Sequence, residues 1–463
     1  MALAGCYPPV APPELAKGVW TGSNGDEKLA FELEVSHVGV QATVHVLREG
    51  RKVTEMPARL TVVDLPRLDV WGDDFGHYRG RIDLERKSVD GALLDLKGNR
   101  RRLDLKQVAT ETVPGLRARP VPGPGVALYT HVRPPDLGDG WSTEKPAMVG
   151  IDPARIEDLV DSIIVGEAGI VHSLLMVRNR KLVLEEYFHG YDRDDLHTVT
   201  SCTKAIASML IGIAIDQGHI EDVSVPVLEF FPEQRAGAAN GWDRVTLEHL
   251  LTMSVGRSRE QWRRTGSIES ADAPFHFVLT ADVSGPHGTS WRNGDRDVNL
   301  LAGVIRHATG LHADEFARRN LFDPLGIEAY DWDVQKKDGF PMMHGTLRLR
   351  PRDLAKLGAL VLQDGRWNGS QVVSTEWIRA STTARIDTTG AAQYGYLWSL
   401  TRLPSNVVVG DPVIFSSGWG SQLVYVAPSL NAIIVVTGGN QFNGKTSAHR
   451  TVIVERLLSA LQE

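Results

Sequence analysis

Residues 197–218, HTVTSCTKAIASMLIGIAIDQG, contain the pattern that decides the fold. The stretch 205–215 is apolar on every side, which predicts a helix buried in the middle of a domain. Gly218 is its predicted C-cap, because glycine adopts the left-handed backbone conformation without steric cost. Ser201 and Lys204 stand at the start of this helix, so two polar side chains border a buried apolar segment.

Ser201 and Lys204 are three residues apart, and a helix places such side chains on one face. A serine hydroxyl is a weak nucleophile at neutral pH and needs a base beside it. A lysine can be that base where burial or nearby positive charge favours its neutral form. The spacing therefore predicts Ser201 as a nucleophile and Lys204 as its base. A serine N-cap followed by an ordinary early lysine is the structural alternative.

The composition is that of an ordinary globular protein. The chain has 463 residues, of which 42% are hydrophobic and 23% charged, and its length indicates two domains or three. The net charge of −7 gives no long-range attraction for nucleic acid or anionic membranes, and no apolar run reaches transmembrane length. Cys6 and Cys202 fit neither a disulfide framework nor a metal motif, and we predict no metal or cofactor.

Turn signals and alternating apolar residues divide the chain into regions. We predict an N-terminal tail, an all-β domain, a Pro/Gly-rich linker and a main domain at residues 1–17, 18–110, 111–147 and 148–463. Short alternating strands such as 31–35, 93–97 and 103–105 indicate a small sandwich or a lipocalin-like barrel for the all-β domain.

The main domain mixes helices with strands and is predicted to be α+β. Asp152 is a predicted N-cap for a helix that ends at residue 164, and the last predicted helix is 451–461. Strands are predicted at 173–177, 181–188, 423–426 and 432–436. Because these strands lie at both ends of the region, we expect one sheet of sequence-distant strands that is covered by helices.

The run 197–218 resembles the active-site helix of the serine β-lactamase-like superfamily, which has the fold of class C β-lactamases and penicillin-binding proteins. It is most similar to the branch of 6-aminohexanoate-oligomer hydrolases and β-lactamase-like carboxylesterases. Further similarities follow in family order from about residue 139 to the end, at 225–232, 247–253, 299–301, 308–310, 321–327, 349–353 and 394–398. The resemblance implies an antiparallel sheet flanked by helices with a helical subdomain, and an acyl-Ser201 intermediate.

The family's second active-site motif, Tyr-x-Asn or Tyr-x-Ser, is altered here. Counting back from residues 299–301 without a gap puts Asn293 at the tyrosine position and Asp295 at the third position. An alternative puts Trp291 at the tyrosine position but needs a two-residue insertion. We prefer the ungapped version, because residues 288–293 then fit the family's Gly-Thr-x-Phe-x-Tyr.

Either alignment leaves the site without the family's phenol, and an asparagine does not titrate near neutral pH. The proton relay would then depend on Lys204 alone, on Asp295, or on a tyrosine from elsewhere such as Tyr394 or Tyr396. A catalytically silent binding protein that keeps the fold and the cleft is the alternative. Trp291, Tyr394 and Tyr396 are our candidates for lining the pocket.

The third family motif, Lys-Thr-Gly in β-lactamases, corresponds to residues 416–422, SSGWGSQ. The resemblance implies an oxyanion hole formed by the backbone N–H groups of Ser201 and Trp419. Gly418 would let the substrate lie close to the strand edge. The missing cation argues against a carboxylate-bearing β-lactam as the preferred substrate.

Residues 439–446, GNQFNGKT, match the phosphate-binding P-loop pattern and would make the chain a nucleotide binder. A P-loop domain needs further parallel strands and a metal-binding Asp, so we favour a polar loop before the closing helix. His287 and His344 are isolated and are predicted to serve loops. Residues 259–262 would either line the cleft or form an exposed turn.

Residues 3–6, LAGC, match a bacterial lipoprotein cleavage box. A working signal also needs a basic start and a long apolar stretch, and only two residues precede the box. As written, the chain is expected in the cytoplasm; a shortened signal would instead make it a periplasmic lipoprotein.

Together these patterns predict a serine hydrolase that acts on a small-molecule ester or amide. Nucleic acid is not an expected partner, and the sequence leaves both a monomer and a dimer open.

Overall fold

The structure is a computed structural model that describes residues 16–24, 27–36, 39–48, 51–58, 60–72, 75–110, 113, 115–119, 126–257, 274–334, 339–390, 392–401, 412–440 and 446–461. The lipoprotein-like box at 3–6, the segment 259–262 and Lys445 of the P-loop-like stretch lie outside the described residues.

Ten described strands of the N-terminal region form one antiparallel sheet. They are β1 (Gly18–Asn24), β2 (Glu27–Ser36), β3 (Gly39–Arg48), β4 (Arg51–Pro57), β5 (Leu60–Asp64), β6 (Arg67–Gly72), β7 (Gly76–Asp83), β8 (Ser88–Leu94), β9 (Arg100–Arg102) and β10 (Leu105–Val108). Their order is β4-β3-β2-β1-β10-β8-β7-β6-β5, with β9 on β8. Because β3 also approaches β5, the sheet curls around one apolar core that includes Trp20, Phe31 and Tyr78.

Two predicted strands of this domain differ from the observed ones. Strand β8 ends at Leu94 rather than at residue 97, because Asp95 accepts hydrogen bonds from the backbone N–H groups of Lys97 and Asn99 and closes a turn. The strand expected at 103–105 begins only at Leu105.

The described part of the predicted linker contacts the main domain at several points. The Arg119 side chain donates to the backbone oxygen of Tyr187 and pairs with Glu186. Trp141 is buried in the core of the main domain, and its indole N–H donates to Arg352 O at 3.1 Å. The last residues of the linker therefore pack as part of the main domain.

The main domain is built on a nine-stranded sheet with the order β11-β13-β12-β24-β23-β22-β21-β20-β19. Its strands are β11 (Ser142–Thr143), β12 (Val171–Arg178), β13 (Lys181–Tyr187), β19 (Ile386–Asp387), β20 (Gln393–Tyr394), β21 (Ser399–Thr401), β22 (Val413–Gly418), β23 (Gln422–Ala427) and β24 (Ala432–Gly438). All neighbours are antiparallel except β11 and β13. The prediction of one sheet from sequence-distant strands is confirmed, since β12 pairs with β24.

Helices cover both faces of this sheet. The described α-helices of the main domain are α1 (Pro153–Ile164), α2 (Thr203–Asp216), α3 (Leu247–Leu251), α4 (Pro274–Leu279), α5 (Asp295–Val298), α6 (Leu300–Thr309), α7 (Ala313–Ala317), α8 (Asp323–Leu325), α9 (Pro351–Leu362), α10 (Thr375–Ser381) and α11 (Thr446–Ser459). Helices α1 and α11 pack together over one face, whereas α9 contacts β23 and β24 on the other. None of the helices in the described ranges has the length and hydrophobicity needed to cross a membrane.

Helix α2 confirms the prediction of a buried helix, because each of its residues from Thr203 to Ala214 is buried. It contacts α6 and α10 and is followed by Gly218 with φ of +75°. The closing helix starts at Thr446, five residues before the predicted start at 451.

A three-stranded sheet lies beside the start of α2. It consists of β14 (His197–Thr198), β15 (Tyr330–Trp332) and β16 (Leu347–Leu349), in the order β14-β16-β15. A two-stranded sheet, β17 (Arg366–Trp367) with β18 (Ser370–Gln371), completes the described strands. Strand β14 ends just before the turn that carries Ser201. The three-stranded sheet therefore fixes the position of the chain that leads into the candidate nucleophile.

Candidate active site

Ser201 lies on a 3₁₀ turn, Thr200–Cys202, that runs without a break into α2. The preceding Thr200 has φ of +43°, a left-handed conformation that is costly for a β-branched residue. The Thr203 hydroxyl donates to Thr200 O at 2.7 Å, and the Thr200 hydroxyl donates to Trp419 O at 3.3 Å. These bonds hold a strained turn that presents the serine to the cleft.

Lys204 is only 5% exposed, and its ammonium group faces three polar side chains. Its Nζ lies 3.2 Å from Ser201 Oγ and 3.1 Å from Asn293 Oδ1. It also forms an ion pair with Asp295 Oδ1. The structure therefore brings Ser201, Lys204, Asn293 and Asp295 together around one nitrogen atom.

Asn293 and Asp295 reach Lys204 from the segment that leads into α5, where Asp295 is the first helical residue. Trp291, the alternative for the tyrosine position, packs edge-on against Tyr394 with ring centroids 5.6 Å apart. Of the two alternatives for the tyrosine position, Asn293 and not Trp291 is the side chain that contacts Lys204.

A cleft of about 1010 Å³ opens over Ser201 and Lys204. Its aromatic and apolar lining residues are Trp291, Ala392, Tyr394, Leu397 and Trp419. The polar groups of the cleft include Asn293, Asp295, Asp333, His344, Arg348 and Thr388. A cleft of this size can hold a drug-sized molecule with one apolar and one polar side.

The end of β22 lies against the turn that carries Ser201. A Cβ atom on Gly418 would collide with Thr200 Oγ1 and lie 2.7 Å from Val199 O and 3.0 Å from Ser201 N. Gly418 is therefore needed for the close approach of the strand to the Ser201 turn, a reason other than the predicted one of substrate approach. Trp419 follows at the rim, 55% exposed.

The two pocket tyrosines have different surroundings. Tyr394 lines the cleft, and burial, followed by the negative charge of Asp295, raises the pKa of its phenol far above its usual value. The expectation for Tyr396 needs correction: its hydroxyl donates to Glu248 Oε1 at 2.7 Å, and its ring stacks on Trp377 outside the cleft. The backbone N–H of Leu397, the residue after Tyr396, donates to Leu251 O. This contact between distant segments orients the turn that contains Tyr396 and Leu397.

Sequence reasoning missed Asp333 and Arg348 as cleft residues and assigned His344 only to a loop. All three line the cleft, and His344 Nδ1 also lies 3.0 Å from Asn299 Nδ2. The other histidine, His287, donates from Nδ1 to Val255 O at 2.9 Å, as expected for a loop residue. The described residues contain no group of three or more His, Cys, Asp or Glu side chains that could hold a metal ion.

A buried histidine pair lies just before the Ser201 turn. His197 Nδ1 is 2.8 Å from Thr198 O, and a carbonyl can only accept, so this nitrogen carries a proton. His197 Nε2 then accepts from His172 Nδ1 at 2.7 Å. Because burial disfavours the charged form, the pKa of His197 falls to about 4.

We expect this pair to make folding stability depend on pH. An unfolded histidine titrates near pH 6.5, so between about pH 6.5 and 4 the unfolded chain binds more protons than the folded one. As pH falls through this window, His197 should remove up to about 1.4 kcal/mol of unfolding free energy per pH unit. Urea unfolding at pH 7 and pH 5 gives the unfolding free energy of the wild type and of His197→Gln. His219 is exposed, so His219→Gln is the control. Equal pH dependence in the wild type and His197→Gln would contradict it.

The described start of the P-loop-like stretch is tied to the main sheet. Asn440 is buried; its Oδ1 accepts from Ile170 N at 3.0 Å, and its Nδ2 donates to Ile170 O at 2.9 Å. Both ends of this amide are therefore used in joining the segment to the backbone just before β12.

A family model described as Beta-lactamase matches residues 165–457. The 6-aminohexanoate-dimer hydrolase of Paenarthrobacter ureafaciens is 25% identical over 243 residues, which cover 49% of this chain and 60% of that protein. The lovastatin esterase of Penicillium rubens is 28% identical over 131 residues, 26% of this chain and 32% of that protein. The matched regions thus span less than two thirds of each of these relatives.

Solved structures with similar folds include a penicillin-binding protein homologue from Caulobacter crescentus, at a TM-score of 0.55 and 14% identity. A family VIII carboxylesterase is similar at a TM-score of 0.53 and 15% identity. Each match covers 66% of this chain and 97% of the other. At these identities the likeness concerns the fold.

Proposed function

The chain belongs to the Beta-lactamase family, and from this premise we propose that it is a serine hydrolase that cleaves an ester or amide through an acyl-Ser201 intermediate. The observation that carries the proposal is the position of Lys204 Nζ, 3.2 Å from Ser201 Oγ at the floor of an open cleft. A buried amine within hydrogen-bond distance of a hydroxyl is the arrangement that activates a serine nucleophile.

In the acylation step, Ser201 Oγ forms a bond to the carbonyl carbon, and the π electrons move to the carbonyl oxygen. The serine proton passes to Lys204, which must be neutral to accept it. In this proposal Asp295 is the acceptor of the lysine's proton: moving one proton from Lys204 to the paired carboxylate turns the ion pair into an amine and a carboxylic acid. This transfer creates no net charge in the pair, of which the Lys204 side chain is buried and the Asp295 side chain faces the cleft.

The tetrahedral intermediate collapses when the bond to the leaving alcohol or amine breaks, and that group takes the proton from Lys204. A water molecule then attacks the acyl carbon and gives its proton to the same lysine. Ser201 leaves with this proton, which restores the starting state. Asn293 holds Lys204 through its side-chain oxygen but carries no titratable proton.

The backbone N–H groups of Ser201 and Trp419 would stabilise the oxyanion. The close approach of Gly418 to the backbone nitrogen of Ser201 supports this role, because it brings the end of β22, just before Trp419, next to the turn that carries Ser201. The positive end of α2 adds to the favourable field.

An ester or amide fits the cleft better than a carboxylate-bearing β-lactam. The strand motif at 416–422 lacks the lysine that would pair with such a carboxylate and has Trp419 at the rim of the cleft instead. The Trp291–Tyr394 pair offers an apolar surface for an acyl chain or an aryl leaving group.

Incubation with a fluorophosphonate probe, followed by intact-mass measurement and peptide mapping, tests the proposal. We expect one label per chain on the peptide that contains Ser201, and hydrolysis of p-nitrophenyl esters of short acids that the probe blocks. A protein that is neither labelled nor active on acetyl to octanoyl esters would overturn the proposal and favour a silent binding protein, for which the replacement of the tyrosine by Asn293 is the supporting observation.

A further inference from the structure

Five arginines occupy one outer surface of the N-terminal sheet, far from Ser201 in the sequence. Arg67, Arg79, Arg81, Arg100 and Arg102 line a depression of about 840 Å³ on strands β6 to β9, and we refer to these residues as the arginine basin. All five are exposed. The whole chain carries a net charge of −7, so this concentration of positive charge is a local feature.

Strand register explains why these side chains face the same way. Arg79 pairs across the sheet with Asp69 and with Ala92, and Ala92 pairs with Arg102. In the next row Arg67 pairs with Arg81. Directly paired residues share a face, as do residues two apart on one strand, so the arginines form a grid with spacings of about 5 to 7 Å between neighbours.

The basin holds more positive charge than its acidic neighbours neutralise. Asp69 is fully buried beneath it and binds Arg67, Arg79 and His77 at once. Burial alone would raise the pKa of Asp69, but hydrogen bonds from these three side chains outweigh burial and lower it. The single negative charge of Asp69 is thus shared by two arginines, which leaves an excess of positive charge at the surface.

Two other arginines of the basin have no acidic partner among the residues that the structure describes. Arg102 donates to Asp104 at 2.7 Å, but Arg81 and Arg100 form no ion pair with any described residue. Asp90 lies on the rim opposite Arg81 in the register. Ala92 contributes only a methyl group between Arg79 and Arg102, so the space above the centre of the basin is open.

From this arrangement we propose that the arginine basin binds a compact polyanion with two or more phosphate or carboxylate groups about 5 to 10 Å apart. Planar guanidinium groups match both kinds of oxyanion through paired hydrogen bonds. A single anionic group would engage only one or two arginines, whereas a ligand with several groups can reach Arg81, Arg100 and Arg102 together.

Isothermal titration of the full chain at low ionic strength with tripolyphosphate and, in a separate arm, citrate tests the proposal. We expect saturable binding of at least one of them, much weaker binding of orthophosphate, and loss of affinity as salt is added. The two arms distinguish a phosphate ligand from a carboxylate ligand.

The double variant Arg81→Gln/Arg100→Gln should weaken this binding at least about tenfold, because two charge-assisted hydrogen bonds are lost. Arg101→Gln is the matched control: it lies on the same strand but pairs with Leu93, whose side chain belongs to the core, and so it faces away from the basin. We expect the affinity of Arg101→Gln for the polyanion to stay within about twofold of the wild type. Ester turnover should not change in either variant.

Three results would overturn the proposal. The first is the absence of saturable binding of both polyanions, and the second is an equal loss of affinity in Arg101→Gln. The third is a dimer in sedimentation experiments that dissociates in the double variant, since the basin would then be an interface between two copies of the chain.

Discussion

Replacing Ser201 by alanine is expected to lower kcat/KM for p-nitrophenyl esters at least about 10⁴-fold and to abolish fluorophosphonate labelling. In the proposed mechanism the hydroxyl oxygen forms the covalent bond, and a methyl group has no lone pair to replace it. The change removes one oxygen from a partly exposed position, so the fold and melting temperature should be retained. Initial rates over a range of enzyme concentrations measure the loss.

Ser208→Ala is the matched control for this prediction. Ser208 lies in the same helix and is fully buried, and its hydroxyl has no hydrogen-bond partner among the described residues. Its substitution makes the same chemical change in α2 without touching the cleft, so turnover should stay within about twofold. If Ser201→Ala kept a tenth of the wild-type turnover, another residue would be the nucleophile, and the acyl-Ser201 mechanism would be wrong.

The proximity of Ser201 and Lys204 could be predicted because their relation is local. A spacing of three residues at the start of a helix determines that Ser201 and Lys204 meet, whatever the rest of the chain does. The left-handed Thr200 could not be predicted in the same way. Its conformation depends on β22, which lies more than two hundred residues later and is held against the turn through Trp419.

The position of Asn293 and Asp295 next to Lys204 could be inferred because an unbroken segment leads from them into α5 and α6. Tyr396 shows the limit of such counting. It lies two residues after Tyr394, yet it contacts Glu248 and Trp377 because the next residue has φ of +62° and bonds to Leu251. A sequence pattern does not reveal which distant backbone group a turn will bond to.

The place of Arg348 in the cleft and the arginine basin were both missed for the same physical reason. Arg348 reaches the cleft because β16 pairs with β14, so that Arg348 stands opposite Thr198. The basin exists because the registers of β6 to β9 place five arginines on one face, and a shift of one residue would turn them to the other side. Composition and periodicity predict strands but not the pairing between them.

Changing Asp295 to asparagine is expected to lower kcat for ester hydrolysis about 10²- to 10⁴-fold, the usual contribution of a proton acceptor, while KM changes much less. The amide has the size of the carboxylate and can still contact Lys204, but it cannot take a proton from it. Asp295→Glu should recover part of the rate, because it restores the acceptor with a longer side chain. If Asp295 had a purely structural role, the rate would instead depend on the size of the side chain, and Asp295→Asn would retain more activity than Asp295→Glu.

Asn293→Ala distinguishes the two neighbours of Lys204. Asn293 contributes a hydrogen bond at 3.1 Å and no titratable proton, so its loss should cost about tenfold or less. Steady-state kinetics of the three variants with one p-nitrophenyl ester gives the comparison. A larger loss for Asn293→Ala than for Asp295→Asn would show that holding Lys204 in place matters more than accepting its proton, and the role proposed for Asp295 would then fail.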